Sequence, residues 1–222
     1  MPGSSQPWPR LFVFDLDGTL VDSRRDIAES ANAVLEACGH TPHSEEAIGG
    51  MVGDGAAMLI ARAFTAAGAD TPPDALERFL NAYNPRLLRH TREYAGVTDL
   101  LSALAARATL AVLTNKPIEA TRAILDGLHL SRFFGALVLG GDGPHPRKPD
   151  PAGLVRIMEM AGAHPADTMM VGDSAIDFLT SRNAGTRACL ARYGFGLHGV
   201  DQAEVRATDL LIEHPIELLS RL

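Results

Sequence analysis

The sequence predicts an α/β protein: a doubly wound, Rossmann-like parallel sheet with an all-helical segment inserted after the first strand. Three observations predict it. Short, continuous apolar runs recur along the chain; helical patterns separate them; and residues 21–92 break the rhythm with helix alone. Residues 1–10 are polar and proline-rich and read as a loose, flexible tail. The first apolar run, 11–14, stops at Asp15 and Gly18, as a buried strand does where it meets a loop. A helix then opens at Asp22 or Ser23, with Ile27, Ala31, Val34, Leu35 and Cys38 as its apolar stripe and Gly39 closing it. A second helix follows Gly55, a third runs from Asp74 toward Arg89, and no convincing strand interrupts them.

The alternation resumes beyond residue 93. Apolar runs at 110–113, 136–139 and 168–171 stop at Thr114, at Gly140 to Asp142 and at Gly172-Asp173, and 187–190 is a weaker fourth case. Helical patterns at 96–106, 118–128, 151–161 and 176–184 lie between. Such alternation argues for a parallel sheet covered on both faces, with its ligand crevice at the carboxyl ends of the strands. The domain reading is therefore a core of residues 11–20 and 93–222 and a helical insertion of residues 21–92.

Bulk properties narrow the function. The chain has 222 residues, 46% of them hydrophobic, enough to bury a core. Its formal net charge of -7, without a basic run, excludes nucleic acid and anionic membrane as natural partners. An anionic substrate would need positive charge concentrated locally. Cys38 and Cys189 lack metal-site spacing and read as free thiols of a reducing compartment. The run at 11–14 is too short for a signal peptide and nothing approaches a membrane span, so the expectation is a cytoplasmic protein.

Four strand ends carry chemistry. Asp15-Leu16-Asp17-Gly18-Thr19 puts two carboxylates on one side of a strand end: one can attack phosphorus, the other exchange a proton with the ester oxygen. Gly18 permits a tight turn beside a phosphate. Thr114-Asn115-Lys116 offers a hydroxyl and backbone N–H groups to phosphoryl oxygens. Lys148, in Arg147-Lys148-Pro149-Asp150-Pro151, can neutralise the nucleophile and then the transferring phosphoryl group. Lys116 and Lys148 are the only lysines of the chain; where arginine serves everywhere else, a retained lysine suggests a site that needs a compact point charge. In Gly172-Asp173-Ser174-Ala175-Ile176-Asp177, Asp173 stands at the strand end and Asp177 in the first helical turn. Asp15, the backbone carbonyl of Asp17, and Asp173 suit the oxygen donors of Mg2+. Asp177, with Ser174 beside it, would orient a metal-bound water or Lys148; equally, Asp177 is an acid favoured by a helix N-terminus.

Together, FVFDLDGT, LTNK, RKPDP and VGDSAID resemble the four motifs of the haloacid dehalogenase superfamily, and the resemblance spans residue 11 to about 219. It implies Asp15 as nucleophile, Asp17 as general acid/base, Thr114 and Lys148 as phosphoryl-binding groups, Asp15, Asp17 and Asp173 as metal residues, and the insertion as a C1 cap closing over the substrate. Gly18, Thr19, Asn115 and Lys116 join the phosphate-binding set. Within the superfamily, Thr114 to Pro117, Tyr94 to Val97, Gly140 to Asp142 and the cap loop of residues 49–56 resemble the phosphoglycolate phosphatase group. That implies Mg2+-dependent hydrolysis of 2-phosphoglycolate through an aspartyl-phosphate, with Gly53 and Gly55 facing the substrate and a monomer or homodimer as the working form. Met51 and Asp54 depart from the expected cap loop.

Alternatives stay open: a phosphatase for another small phosphate, or a phosphosugar mutase. Asp17 argues against a dehalogenase, and the lack of lysine between residues 21 and 92 against Schiff-base chemistry in the cap. A signalling receiver domain, a different class, would carry its phosphorylated aspartate after a middle strand rather than the first.

Overall fold

A computed structural model describes residues 8–197, 199–200 and 202–222. In chain order the elements are β1 (Leu11–Phe14), β2 (Val21–Asp22), α1 (Arg24–Ala37), α2 (Glu45–Gly49), α3 (Ala56–Ala66), α4 (Ala75–Tyr83), β3 (Arg92–Glu93), α5 (Val97–Ala105) and β4 (Thr109–Leu113). They continue with α6 (Ile118–Gly127), β5 (Val138–Leu139), α7 (Ala152–Ala161), β6 (Thr168–Gly172), α8 (Ala175–Asn183), β7 (Arg187–Ala191), β8 (Leu210–Ile212) and α9 (Glu217–Arg221).

Among the described residues, six strands form one parallel sheet in the order β5-β4-β1-β6-β7-β8. Strand β1 lies between β4 and β6, so the chain leaves it to one side and later returns to the other. A crevice opens outside the carboxyl ends of strands at such a switch. The alternation of side chains along a strand explains why β1 has no polar residue. Phe12 and Phe14 face a layer with Leu100, Leu104, Ile124 and Leu125 of α5 and α6. Leu11 and Val13 face the opposite layer, with Leu154, Ile157 and Met158 of α7. Each buried phenylalanine or leucine contributes about 1.5–3 kcal/mol.

Helices α1 to α4 enclose an apolar cluster of their own. Ile27, Ala31, Val34 and Leu35 meet Leu59, Ile60 and Phe64 of α3 and Phe79 and Tyr83 of α4, with Cys38 half-buried beside them. The stripe seen in the sequence is this contact face, and Gly39 follows α1 at φ +81°, a conformation that suits glycine. The expectation of no strand here needs correction. β2 and β3 pair antiparallel, Val21 with Glu93 and Asp22 with Arg92, where the chain leaves and re-enters the sheet region. Two residues are too few for a strand to betray itself by alternation. α2, opened by the Ser44 hydroxyl accepting from Ala47 N, was likewise too short to signal itself. Asp26, buried in the first turn of α1, accepts from the backbone of His90 and Thr91 and from the Thr91 hydroxyl, so one carboxylate ties the two connections together.

The flexible-tail expectation falls mostly on residues 1–7, which lie outside the described residues. For the rest it is corrected: Trp8 packs against the core under the Arg107 guanidinium, Pro9 is buried, and Arg10 N donates to Asp167 O. Strand β5 is shorter than the run at 136–139 suggested, and β8 and α9 extend the core beyond the last apolar run read from the sequence. No helix among the described residues is long and apolar enough to cross a membrane.

Candidate active site

The four strand-end motifs converge at the carboxyl edge of β1, β4 and β6. Asp15 leaves β1 with its N–H still bonded to Val171 O, so the sheet itself fixes the backbone beneath it. Gly18 follows at φ +84°, and a Cβ there would collide with the Asp173 carboxylate. Only glycine lets the β1 loop approach Asp173 this closely. Lys148 comes from the loop before α7 and is buried, with its Nζ 2.8 Å from Asp15 Oδ1 and 2.6 Å from Asp177 Oδ1. Ser174 and Asp177 form a reciprocal cap at the start of α8: the Ser174 hydroxyl donates to Asp177 Oδ2 at 2.7 Å and accepts from Asp177 N. That fixes the carboxylate that holds Lys148. Of the two sequence readings of Asp177, its contact with Lys148 and its role at the helix start both occur.

Burial pushes the Asp15 carboxyl up to about 6; Lys148 opposes this and Asp177 adds to it. Asp173 is raised well above the usual carboxylate range by burial and by Asp177 and Asp15. Burial acts to lower Lys148, but Asp15 and Asp177 outweigh it and hold the ammonium protonated. The cluster is therefore a crowd of carboxylates relieved by one cation.

These residues fit a divalent cation. Asp15, Asp173 and Asp177 each offer an oxygen, all within 4.8 Å of one another. Asp15 Oδ1 is buried, with the Lys148 ammonium at 2.8 Å as its cation. Hard oxygen donors of this kind suit Mg2+ or Ca2+ rather than softer ions. Asp177 joins Asp15 and Asp173, the two carboxylates read in the sequence as metal donors, and the Asp17 carboxylate, read there as the acid/base, has partners of its own. It accepts from the Ser23 hydroxyl at 2.5 Å and from Lys116 Nζ at 3.0 and 2.9 Å.

Other residues singled out in the sequence are placed as follows. Thr114 is buried at the end of β4, its hydroxyl accepting from Lys116 N. The Thr19 hydroxyl donates to Asp173 Oδ1 rather than facing open space. Asn115, read as part of the phosphate-binding loop, uses its side chain to hold neighbouring backbone. Its amide donates to Gly53 O and Lys148 O and accepts from Lys148 N, which leaves the side chain committed to backbone. Gly53 and Gly55 lie over the crevice at positive φ, and a Cβ on Gly53 would press on Ile176. Ser174, Asp15, Asp17, Gly53 and Asp173 line one part of the cleft; Thr114, Asn115, Lys116 and Gly55 line another.

Sequence reasoning missed three participants. Tyr83 of α4 accepts from Lys116 Nζ at 2.7 Å, yet an aromatic in an amphipathic helix reads simply as core. Phe195 N donates to Asp173 Oδ2 at 2.8 Å, a backbone contact with no side-chain signal. Ser23 looked like a helix cap but gives its hydroxyl to Asp17; the one clue was its nearness in sequence.

A doubly wound parallel sheet with an aspartate pair at its first strand end, a buried lysine and an acidic cluster defines a hydrolase class. Residues 12–191 match the haloacid dehalogenase-like hydrolase model, and the chain belongs to that family. Its relatives carry a more specific name. The chain is 38% identical over 218 residues to "Phosphoglycolate phosphatase 1" of Pseudomonas aeruginosa, covering 95% of this chain and 79% of the relative. It is 41% identical over 196 residues to "Phosphoglycolate phosphatase" of Rhodospirillum rubrum, covering 84% and 81%. A crystal structure described as a predicted phosphoglycolate phosphatase from Haemophilus somnus superposes with a TM-score of 0.86 at 29% identity, covering 99% of each chain.

Proposed function

We propose that this chain is a Mg2+-dependent phosphatase that hydrolyses 2-phosphoglycolate to glycolate and phosphate through an aspartyl-phosphate on Asp15. The observation that carries the reading is the pairing of Asp15 with Lys148 and of Asp17 with Lys116 in one crevice. Identity of 35–41% to relatives named phosphoglycolate phosphatase supports the substrate.

Asp15, Asp173 and Asp177, with the carbonyl of Asp17, would hold the metal. When bound, the ion offsets the charge of the phosphate and of the crowded carboxylates. Lys148 neutralises Asp15 beforehand and, already fixed by Asp177, needs no reorganisation when charge spreads over the phosphoryl oxygens. The Asn115 N–H and the Thr114 hydroxyl, which accepts from Lys116 N and can donate its own hydrogen, hold the phosphoryl group. The Asp15 carboxylate attacks phosphorus, and the Asp–O–P bond forms as the ester P–O bond breaks. Asp17 gives its proton to the departing glycolate oxygen. Water then attacks phosphorus and gives its proton to Asp17, and the Asp15–phosphate bond breaks. Helices α1 to α4 act as the cap, and the bond from Asn115 to Gly53 O ties its loop to the phosphate side of the crevice.

The test is phosphate release, with and without Mg2+, from 2-phosphoglycolate, sugar phosphates, nucleoside monophosphates, phosphoserine and pyrophosphate. Strong metal-dependent preference for 2-phosphoglycolate supports the proposal. Preference for another ester would refute the substrate while leaving the chemistry in place.

A further inference from the structure

Lys116 is an unusual lysine for a phosphate site. Its ammonium is buried and bonds to both oxygens of Asp17 and to the hydroxyl of Tyr83, lying 4.7 Å from that ring's centroid. Lys148 stands between two carboxylates, so its charge is fully engaged beside the phosphoryl position. Lys116 faces one carboxylate and one neutral phenol. An ammonium has three donors and no acceptor. With one shared by the Asp17 oxygens and one given to Tyr83, a third remains for a further acceptor. The cleft beside it has apolar walls of Ile27, Val52, Leu59, Phe79 and Leu80 and polar ones of Asp15, Asp17, Asn84, Thr114 and Asn115, and among the described residues Lys116 is the one cation lining it.

We propose that Lys116, held by Tyr83, binds the carboxylate of the leaving group and so determines specificity for an acidic ester. The inference rests on the 2-phosphoglycolate reading and moves Lys116 from the phosphate to the other end of the substrate. The geometry supports this placement. A leaving oxygen within hydrogen-bond reach of Asp17, about 3 Å, puts a carboxylate one carbon away next to the group that holds Asp17. The other cations near the cleft have partners of their own, although the Arg147 guanidinium also reaches Gly55 on its wall. Arg62 donates to Met51 O and pairs with Asp54, half-exposed; Arg24 pairs with Asp22 and lies over the Phe195 ring; Arg147 donates to Gly141 O. One unspent donor on a buried cation at the edge of a cleft favours a single small anion. The same contact would ready the acid: as Lys116 turns toward the substrate's carboxylate, one Asp17 oxygen is freed to carry the proton it gives to the leaving oxygen.

The experiment compares kcat/KM for 2-phosphoglycolate and for its neutral amide, 2-phosphoglycolamide, in the wild type and in Lys116→Met, Tyr83→Phe and Arg62→Met. The ratio is the readout, because loss of Asp17 support slows both substrates alike. The wild type is expected to prefer the acid by about 10- to 100-fold, the range of a charge-assisted hydrogen bond. Lys116→Met brings the ratio close to one, Lys116→Arg restores part of it, Tyr83→Phe lowers it a few-fold, and Arg62→Met leaves it. If Lys116→Met does not fold, Tyr83→Phe decides, and an unchanged ratio there overturns the inference. A wild-type preference retained in Lys116→Met, or lost in Arg62→Met instead, overturns it while the substrate reading stands. A wild type that does not distinguish the two esters overturns both.

Discussion

Removing the Asn115 amide should damage stability and catalysis together, because three backbone groups depend on one side chain. Asn115 donates to Gly53 O at 2.8 Å and to Lys148 O at 2.9 Å, and accepts from Lys148 N at 2.9 Å. Asn115→Ala leaves the Lys148 N–H buried without its acceptor and two carbonyls short of a donor. An unsatisfied buried group costs about 1–3 kcal/mol, and each net hydrogen bond about 1 kcal/mol. With partial relaxation the total is about 2–4 kcal/mol. For a chain of this size each kcal/mol moves the melting temperature by about 2–4 °C, so a fall of about 4–16 °C is expected. The lysine that faces Asp15 is on the same loop, and a misplacement of about 1 Å in such a group costs on the order of 100-fold in rate. Calorimetry and steady-state kcat on the same sample measure both. A melting temperature within 2 °C of wild type, with kcat unchanged, would refute the reasoning that this amide holds the Lys148 loop and the cap loop in place.

Three further outcomes follow from the geometry. Lys148→Ala should lower kcat more than Lys116→Ala, because Lys148 faces the nucleophile directly and its loss leaves Asp15 and Asp177 without their cation; kinetics with saturating 2-phosphoglycolate ranks them, and the reverse order would place the phosphoryl site on the wrong lysine. Gly18→Ala should cost both folding stability and activity, since the added methyl meets the Asp173 carboxylate from a backbone at φ +84°; a variant with wild-type melting and turnover would contradict the close approach. The pH dependence of stability without metal has a definite sign. Asp15 is raised in the folded state, from an ordinary 3.8 to about 6, so its contribution is fully present below pH 4 and is lost as pH rises through 6. Over that window it amounts to about 3 kcal/mol at 1.36 kcal/mol per pH unit. Chemical denaturation of Asp15→Asn and wild type in chelator should therefore show the variant gaining relative stability from pH 4 to pH 7; a flat difference would show that Asp15 is not destabilised by burial.

Much of the core was legible because burial on both faces leaves a plain signature: β1, β4 and β6 appear as unbroken apolar runs that stop at Asp15, Thr114 and Asp173. Chemistry at their ends was legible for the same reason, since a parallel sheet brings all its carboxyl ends to one edge. What stayed hidden depends on three-dimensional partners. Lys116 stood out as one of two lysines, but nothing in the sequence pairs it with Asp17 or with Tyr83, which lies 33 residues away on a helix whose aromatic pattern matches core packing. Asn115 sits in the right motif for a phosphate ligand, and only the approach of the Gly53 and Lys148 backbones shows where its amide goes. That Asp177 joins Asp15 and Asp173 in the acidic cluster, and that the Ser23 hydroxyl and Lys116 hold the Asp17 carboxylate, follows from contacts that no spacing in the sequence announces. The pairing of β2 with β3 and the short α2 leave too few residues for any periodicity to register.

The central claim is a covalent phosphate on Asp15. It is tested most directly by quenching the enzyme in acid during turnover of 2-phosphoglycolate with Mg2+, reducing acyl phosphates with borohydride and reading the peptide that contains residue 15 by mass spectrometry. The account expects homoserine at position 15, absent without substrate and absent in Asp15→Asn. Homoserine at another aspartate, or none while phosphate is released at full rate, would contradict it.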